Sequence, residues 1–419
     1  MADIIIDGTT VGANRFLLLD STGKIPAVDG SQVITIAAGN IATGTIPIAR
    51  IDTGTTANKI VKLDGNAKLP ALDGSLITNM PSATKNASDP TISTNPSGGV
   101  GTEWHNTTSG EAYICTDATA GENVWKNIGA GTGDIEPPPF FQGTQHGYVA
   151  GGDPDQTRIE RFSLTSQANS VDIGDLATNA VGVSGGKSSS YGFVCGGDSA
   201  PGPPHAQISS KYAFASSTSG STHGTLTVGR YNPADASSET HVYCAGGNGS
   251  SDNVIDKLAS ASNADATDVG DLLNNIWYVG GNSSTTHGYV AGGYPSNNVI
   301  QKWSFASDGN ATDVGDLVTG RRDTQATSDV THGHNFGGYP TQNNIEKFPF
   351  ASDSNATDVG DMTAGGDLAS GVSTEAYSYC VSGRNLSNVI QRWSNASANN
   401  AVDWADTTNS KTNHCSTQN

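Results

Sequence analysis

The chain has 419 residues, of which 35% are apolar and only 15% charged, and its 21 basic residues face 40 acidic ones for a net charge of −19. An acidic surface argues against nucleic acid or an anionic membrane as partner, since both need clustered Lys and Arg. No run of 18 apolar residues is present to insert in a membrane, and no stretch carries apolar residues at sustained helical spacing. The 52 glycines, with abundant Ser, Thr, Asn and Asp, instead fit many short strands joined by tight turns. The opening MADIIIDGTT lacks the basic start and long apolar core of a signal peptide. The five cysteines (115, 195, 244, 380 and 415) form no CxxC pair and read as small buried apolar residues, in keeping with a chain made in a reducing cytoplasm.

Residues 1–82 hold an internal repeat. NRFLLLDSTGKIPAVDGSQ (14–32) matches NKIVKLDGNAKLPALDGSL (58–76), which sets Asp20/Asp64, Lys24/Lys68 and Pro26/Pro70 each 44 apart. Between them, ITIAAGNIATGTIPIARID alternates aliphatics with Gly and Thr. Pieces so short and apolar cannot bury themselves within one chain, so they are expected to wrap with two further copies into a trimeric β shaft. An isolated small β domain is the alternative. Residues 83–130 read as a small β module. EAYICTD (111–117) forms one strand and VWKNI a second after the TAGEN turn, and Trp104 and Trp125 close its core. The stretch 131–140 is a linker, loosened by glycine and stiffened by Pro137, Pro138 and Pro139.

LPALDGSLITNMP (69–81), GNIATGTIPIARI (39–51) and the GTEWHNTTSGEAYICTDAT…NVWKNIG frame (101–129) resemble segments of bacteriophage tail-fibre and related virion appendage proteins. The resemblance covers about residues 1–130. It implies a virion structural protein, assembled in the host cytoplasm, that joins other virion proteins through its N-terminus. A tail fibre is the first assignment, and a head or neck fibre or decoration protein is the alternative.

Residues 141–419 repeat one phrase six times: HGYVAGG at 146, YGFVCGG at 191, HVYCAGG at 241, HGYVAGG at 287, HGHNFGG at 332 and a weakened YSYCVSG at 377. A period near 45 with four short apolar runs per unit predicts a β-propeller of six blades. In the cleanest unit, HGYVAGG, NVIQKWSFAS (298–307) and ATDVGDL (311–317) are strands, and the polar GRRDTQATSD (320–329) leads into the next phrase. The first unit has no polar segment before it, whereas SKTNHCSTQN (410–419) is left over at the end. That tail is expected to complete the first blade and remove the open sheet edges. The glycine pairs with a downstream aromatic resemble kelch repeats, but the Tyr and Trp spacing of that family is not reproduced, so enzymatic roles of kelch propellers do not carry over.

Two constellations repeat with the units. Arg161, Lys211, Lys257, Lys302, Lys347 and Arg392 recur in the second run. The acids Asp172/Asp175, Asp268/Asp271, Asp313/Asp316, Asp358/Asp361 and Asp403/Asp406 recur in the third, with STHGTL (221–226) breaking the series. Cross-strand ion pairs within each blade are expected; calcium at the DxxD pairs would lack oxygens. The phrases open on His146, Tyr191, His241, His287, His332 and Tyr377, which would form a ring at one mouth, either stacking on sugars or packing at turns. GVSGG (182–186) matches a nucleophile elbow only formally, because that motif needs a strand-to-helix turn. No catalytic motif, cofactor motif or metal-ligand motif is present, and no acid lies in an apolar run that would raise its pKa. Display and binding of a bacterial surface glycan or envelope protein is the expected role. A glycan-cleaving propeller is the rival, and the second unit, with its APGPPH insertion (200–205), is the place to look for asymmetry.

Overall fold

The computed structural model describes residues 83–129, 133–134, 141–198, 205–214, 219–250 and 252–419. The shaft expected over 1–82, most of the linker over 131–140 and most of the APGPPH insertion lie outside these residues. The chain divides at Pro81/Ser82 into two compact units, and the following concerns the second. Among the described residues the regular structure is entirely β, with seven four-stranded sheets and one two-stranded ribbon.

The first sheet holds Thr84–Asn86, Glu103–Asn106, Ala112–Asp117 and Val124–Asn127, in that order. Its alternation turns Trp104, Tyr113, Cys115 and Trp125 to one side, where they form a small core. The two tryptophans meet edge to face at 5.8 Å, and the Trp104 indole N–H donates to the Ser88 carbonyl at 2.9 Å.

The other six sheets share one antiparallel pattern. Sheet II orders Ser184–Lys187, Tyr191–Cys195, Ile208–Ala213 and Ser221–Thr225. Sheet III orders Ala234–Ser237, His241–Ala245, Val254–Ala259 and Thr267–Asp271. Sheet IV orders Gly280–Ser283, His287–Ala291, Asn297–Ser304 and Thr312–Arg321. Sheet V orders Gln325–Ser328, His332–Phe336, Asn344–Pro349 and Thr357–Asp361. Sheet VI orders Ser370–Ser373, Tyr377–Gly383, Ser387–Ser394 and Val402–Asp406. Sheet I takes its first strand from the far end of the chain: Cys415–Gln418 pairs with His146–Ala150, followed by Arg158–Ser163 and Val171–Asp175. The polar segment that closes each sequence unit therefore serves as the first strand of the sheet that follows.

Each of these sheets is tied to the next at its fourth strand by one backbone bond of 2.7–2.8 Å. Gly220 N–H donates to Asp175 O, Ala266 to Thr225, Ala311 to Asp271, Ala356 to Asp316, Ala401 to Asp361, and Ser170 back to Asp406. A second tie runs deeper, from third-strand side chains. Glu160, Asp256, Gln301, Glu346 and Gln391 accept the N–H of Thr408, Thr227, Leu273, Val318 and Thr363, each from the preceding sheet, at 2.7–3.0 Å. Sheet II carries Ser210 in this place. Where the acceptor is charged it has a buried cation: Arg230 on Asp256 at 2.8 Å, Arg321 on Glu346 at 2.5 Å and Lys411 on Glu160 at 3.3 Å. The carboxylates of these pairs also accept hydrogen bonds from backbone N–H groups, and Arg230 further donates to Gly246 O at 3.0 Å and Val254 O at 2.8 Å.

The phrase glycines have separate jobs. The paired glycines turn the chain with positive φ, as at Gly292 (+72°) and Gly337 (+62°). In the weakened sixth phrase Ser382 takes φ +49° instead, its hydroxyl donating to Ser387 O at 2.7 Å and accepting from Lys411 N–H at 2.8 Å. The glycine after the opening residue makes room for an aromatic of the third strand. A Cβ on Gly288 would meet Trp303 at 2.3 Å, on Gly147 Phe162 at 2.4 Å, and on Gly333 Phe348 at 2.3 Å. Sheet III places Val242 opposite Leu258 instead. Gly288→Val is thus expected to destabilise the chain by about 2–3 kcal/mol through overpacking. Adding Trp303→Leu should restore most of that loss in a thermal melt, and a double variant no better than Gly288→Val would refute the pairing.

Candidate functional site

The first strands of all six sheets line a cavity of about 50 Å³, which contains Gly185–Lys187, Asp235, Ser237, Gly281, Ser283, Ala326–Ser328, Gly371–Ser373 and Ser416–Gln418. The two ends of this cavity differ.

At the end where the first strands finish, the incoming chain fills the opening. Phe141 and Gln142 are buried. Lys187 Nζ donates to Gln142 O at 3.0 Å, Gly143 N–H donates to Ser373 O at 2.7 Å, and the Gln142 amide reaches Thr374 O at 3.3 Å. Thr144 and Gln145 N–H then donate to Asn419 O at 2.7 and 2.8 Å, so the entering segment and the last residue clasp each other.

His146, Tyr191, His241, His287, His332 and Tyr377 lie at this same end, because each opens a second strand just after the turn from a first strand. All six are partly exposed. Each stands beside the basic residue of its own third strand, and the contacts they make are within their own sheets. Lys211 lies over the Tyr191 ring at 4.9 Å and Arg392 over Tyr377 at 4.3 Å. The Thr240, Thr286 and Thr331 hydroxyls pair with Nδ1 of His241, His287 and His332 at 2.7–2.8 Å. Burial, then the nearby cation, holds His146, His241 and His287 below the usual imidazole pKa.

The basic residues do not pair with the DxxD acids of their own sheet. The register sets Lys302 opposite Thr312 and Lys257 opposite Thr267. Their amines reach the neighbouring sheet: Lys257 to Asp308 at 2.9 Å, Lys302 to Asp353, Lys211 to Asn263 at 2.7 Å. The first acid of each DVGD turns inward on the backbone, as Asp313 accepts Gly315 N–H at 3.1 Å. The second has its N–H capped by an Asn of the next sheet, as Asn355 accepts from Asp316 at 3.1 Å. In the irregular STHGTL strand Thr225 N–H takes the corresponding cap from Asp265 Oδ1 at 3.0 Å, and buried His223 adds contacts with Asn263 Oδ1 at 3.1 Å and Ala259 O at 3.0 Å.

At the opposite end, each first strand is preceded by a residue with positive φ: Gly182 (+68°), Asn232 (+50°), Tyr278 (+59°), Asp323 (+56°), Leu368 (+54°) and Asn413 (+56°). Backbone bonds run between them. Asn232 N–H donates to Gly182 O, Tyr278 to Asn232, Asp323 to Tyr278, Asn413 to Leu368 and Gly182 to Asn413, at 2.8–3.1 Å. The left-handed conformation suits Gly, Asn and Asp, whereas Tyr278 and Leu368 hold it at a cost of about 1 kcal/mol or more. Five of these residues and His414 surround a recess of about 40 Å³.

Around that recess the six sheets repeat one backbone bridge with different side chains on it: Val181/Asp198, Tyr231/Asn248, Trp277/Tyr294, Arg322/Tyr339, Asp367/Arg384 and Thr412/Asp153. Trp277 stacks on Tyr294 at 4.7 Å, and the Arg322 guanidinium lies over both Tyr294 (5.1 Å) and Tyr339 (4.4 Å). Arg384 pairs with buried Asp367 at 2.6 Å. His205, at the end of the APGPPH insertion, binds Asp198 at 2.7 Å and stacks on Tyr231 at 5.7 Å.

Two carboxylates shifted upward by burial were invisible to sequence reading. Asp235, facing the cavity, is raised to about 7. Asp323 is raised to about 6 by burial and by the neighbouring Asp367. Neither lies in an apolar run; six converging first strands remove them from bulk water. The five cysteines are all free and buried. Ser184 of GVSGG begins a first strand, not a strand-to-helix turn.

No protein-family model matches the chain, and no curated protein matches it.

Proposed function

We propose that sheets I–VI form a six-bladed β-propeller, closed by the C-terminal strand, and that the chain is a bacteriophage virion fibre displaying this propeller for host-surface recognition. The cycle of bonds from Asp175/Gly220 round to Asp406/Ser170 supports the closed form. One observation carries the display reading. Among the described residues the chain enters at one mouth and plugs it, while around the other mouth the bridge residues change in chemistry from sheet to sheet. A constant scaffold with variable loops at one end suits recognition more than catalysis. The resemblance of residues 1–130 to tail-fibre segments adds the virion setting, with a head or neck fibre as the alternative attachment. Trimerisation through residues 1–82 would multiply weak contacts by raising effective concentration.

The purified chain is expected to sediment with three times the mass of its 42.9 kDa monomer, and removal of residues 1–82 should release folded monomers. A monomeric full chain in analytical ultracentrifugation would refute the trimeric fibre.

A further inference from the structure

The sequence offers His146, Tyr191, His241, His287, His332 and Tyr377 as a ring that either stacks on sugars or packs at turns, and these share their end of the molecule with the entering chain. The opposite mouth offers a different chemistry. Its recess is large enough for one or two hydroxyl groups or a hydroxymethyl arm, and too small for a sugar ring. Asp323 is only 5% exposed, and its Oδ1 has no hydrogen-bond partner. His414, 3% exposed, donates Nε2–H to Val381 O at 3.1 Å, which leaves Nδ1 as a second unpartnered acceptor on the recess wall. Buried acceptors without donors cost free energy until something supplies the proton. Asn232 and Asn413 flank them with groups that both donate and accept. Beside the recess stand Tyr294 and Tyr339, at 37% and 44% exposed, bridged by Arg322.

We propose that this mouth binds a neutral glycan, with sugar hydroxyls donated into the recess to Asp323 and His414 and the apolar face of a pyranose laid on the Tyr294/Tyr339 shelf. This rests on the display reading above and names its ligand class. Ligand sites of this type combine an apolar platform with a few convergent polar groups. A polyanionic glycan is disfavoured: Asp153, Asp198, Asp323 and Asp367 at the mouth outnumber Arg322 and Arg384, of which Arg384 is paired with Asp367, and the chain carries −19 overall. A divalent cation does not fit either, since no group of three His, Cys, Asp or Glu side chains converges among the described residues.

The test is an array of bacterial surface polysaccharides, neutral and polyanionic, probed with the full chain, followed by calorimetry on the saccharides retained. Asp323→Asn, which keeps a residue at ease with positive φ, and Tyr339→Ala, a surface change, should each weaken a neutral saccharide at least tenfold with an unchanged melting temperature. His287→Ala, at the entry end, should leave affinity within twofold. Saccharide binding that ignores Asp323→Asn and Tyr339→Ala but falls with His287→Ala would overturn the site and leave the display reading standing. Retention of polyanionic glycans alone would overturn the ligand class. A chain that adsorbs to host cells stripped of polysaccharide, and to no glycan, would overturn the inference while keeping display. A chain that binds neither glycans nor cells would overturn both.

Discussion

Deleting Cys415–Asn419 is expected to unfold sheets I–VI as a whole, not to trim an end. The lost strand pairs with His146–Ala150 and lies between the first strands of sheets VI and II. Ser416 Oγ meets Ser370 Oγ at 2.5 Å, Thr417 Oγ1 meets the Tyr212 hydroxyl at 2.7 Å, and Gly185 packs against Ser416 O. Cys415 belongs to the core shared by sheets I and II. Its removal leaves a bare edge on sheet I, breaks contact with two neighbours and frees the clasp on Thr144 and Gln145. Against a total stability of about 5–15 kcal/mol for a domain, losing these together should abolish the cooperative melt of the shortened chain. A synthetic peptide of residues 410–419 added in excess should restore part of it. A shortened chain that melts within a few degrees of the full one would show that the C-terminal strand is an accessory.

Acid stability should reveal two opposed buried groups. His414 is held down to about 3 by burial, with nearby Lys411 adding to the effect. In the unfolded chain an imidazole titrates near 6.5, so between pH 6.5 and 3 the unfolded state binds more protons. Stability from this site is complete above pH 6.5 and is lost as pH falls, by up to about 5 kcal/mol. Asp235, raised to about 7 by burial, has the reverse sign. Its native form holds a proton that the unfolded chain releases near 3.9, so stability from this site is present at low pH and is lost as pH rises from 4 to 7. The cavity it faces admits water, which makes its contribution the smaller of the two. In the full chain the slopes offset one another between pH 4 and 6.5. His414→Gln should therefore make denaturant stability fall as pH rises through that window, and Asp235→Asn should make it rise more steeply than in the unaltered chain. Identical pH profiles for the two variants would show that neither group is buried as described. Lys187, lowered to about 7 by burial, adds a further rise in stability between pH 7 and 10.5, outside this window.

The β architecture was legible because it is written in repeats: the HGYVAGG spacing, the NVIQKWS run and the unmatched tail each correspond to a strand in the structure. The two tryptophans of the small module and the burial of the cysteines followed from simple alternation. The ion pairs were not legible as drawn. Spacing alone put Lys302 beside Asp313 and Asp316, but the third and fourth strands shift register between Ile300 and Gln301. That shift sets Lys302 opposite Thr312, so its amine finds Asp353 on the adjoining sheet. The candidate site was the least legible part. Which end a phrase residue occupies depends on the direction of its first strand and on where residues 141–143 enter, and neither is a local property. Asp323 sits in the polar run GRRDTQ, where nothing nearby signals burial. What could have found it is the comparison of the six positions before the first strands, which read Gly, Asn, Tyr, Asp, Leu and Asn in a chain otherwise so repetitive.

Antibody fragments raised separately against the 83–129 module and against the Tyr294/Tyr339 mouth, imaged on intact particles that carry this chain, would locate the propeller on the particle. A fibre that displays its propeller predicts both labels on an external appendage, with the mouth label outermost and host adsorption blocked by the mouth fragment alone. A mouth label lying against the particle, or adsorption blocked only by the module fragment, would contradict it.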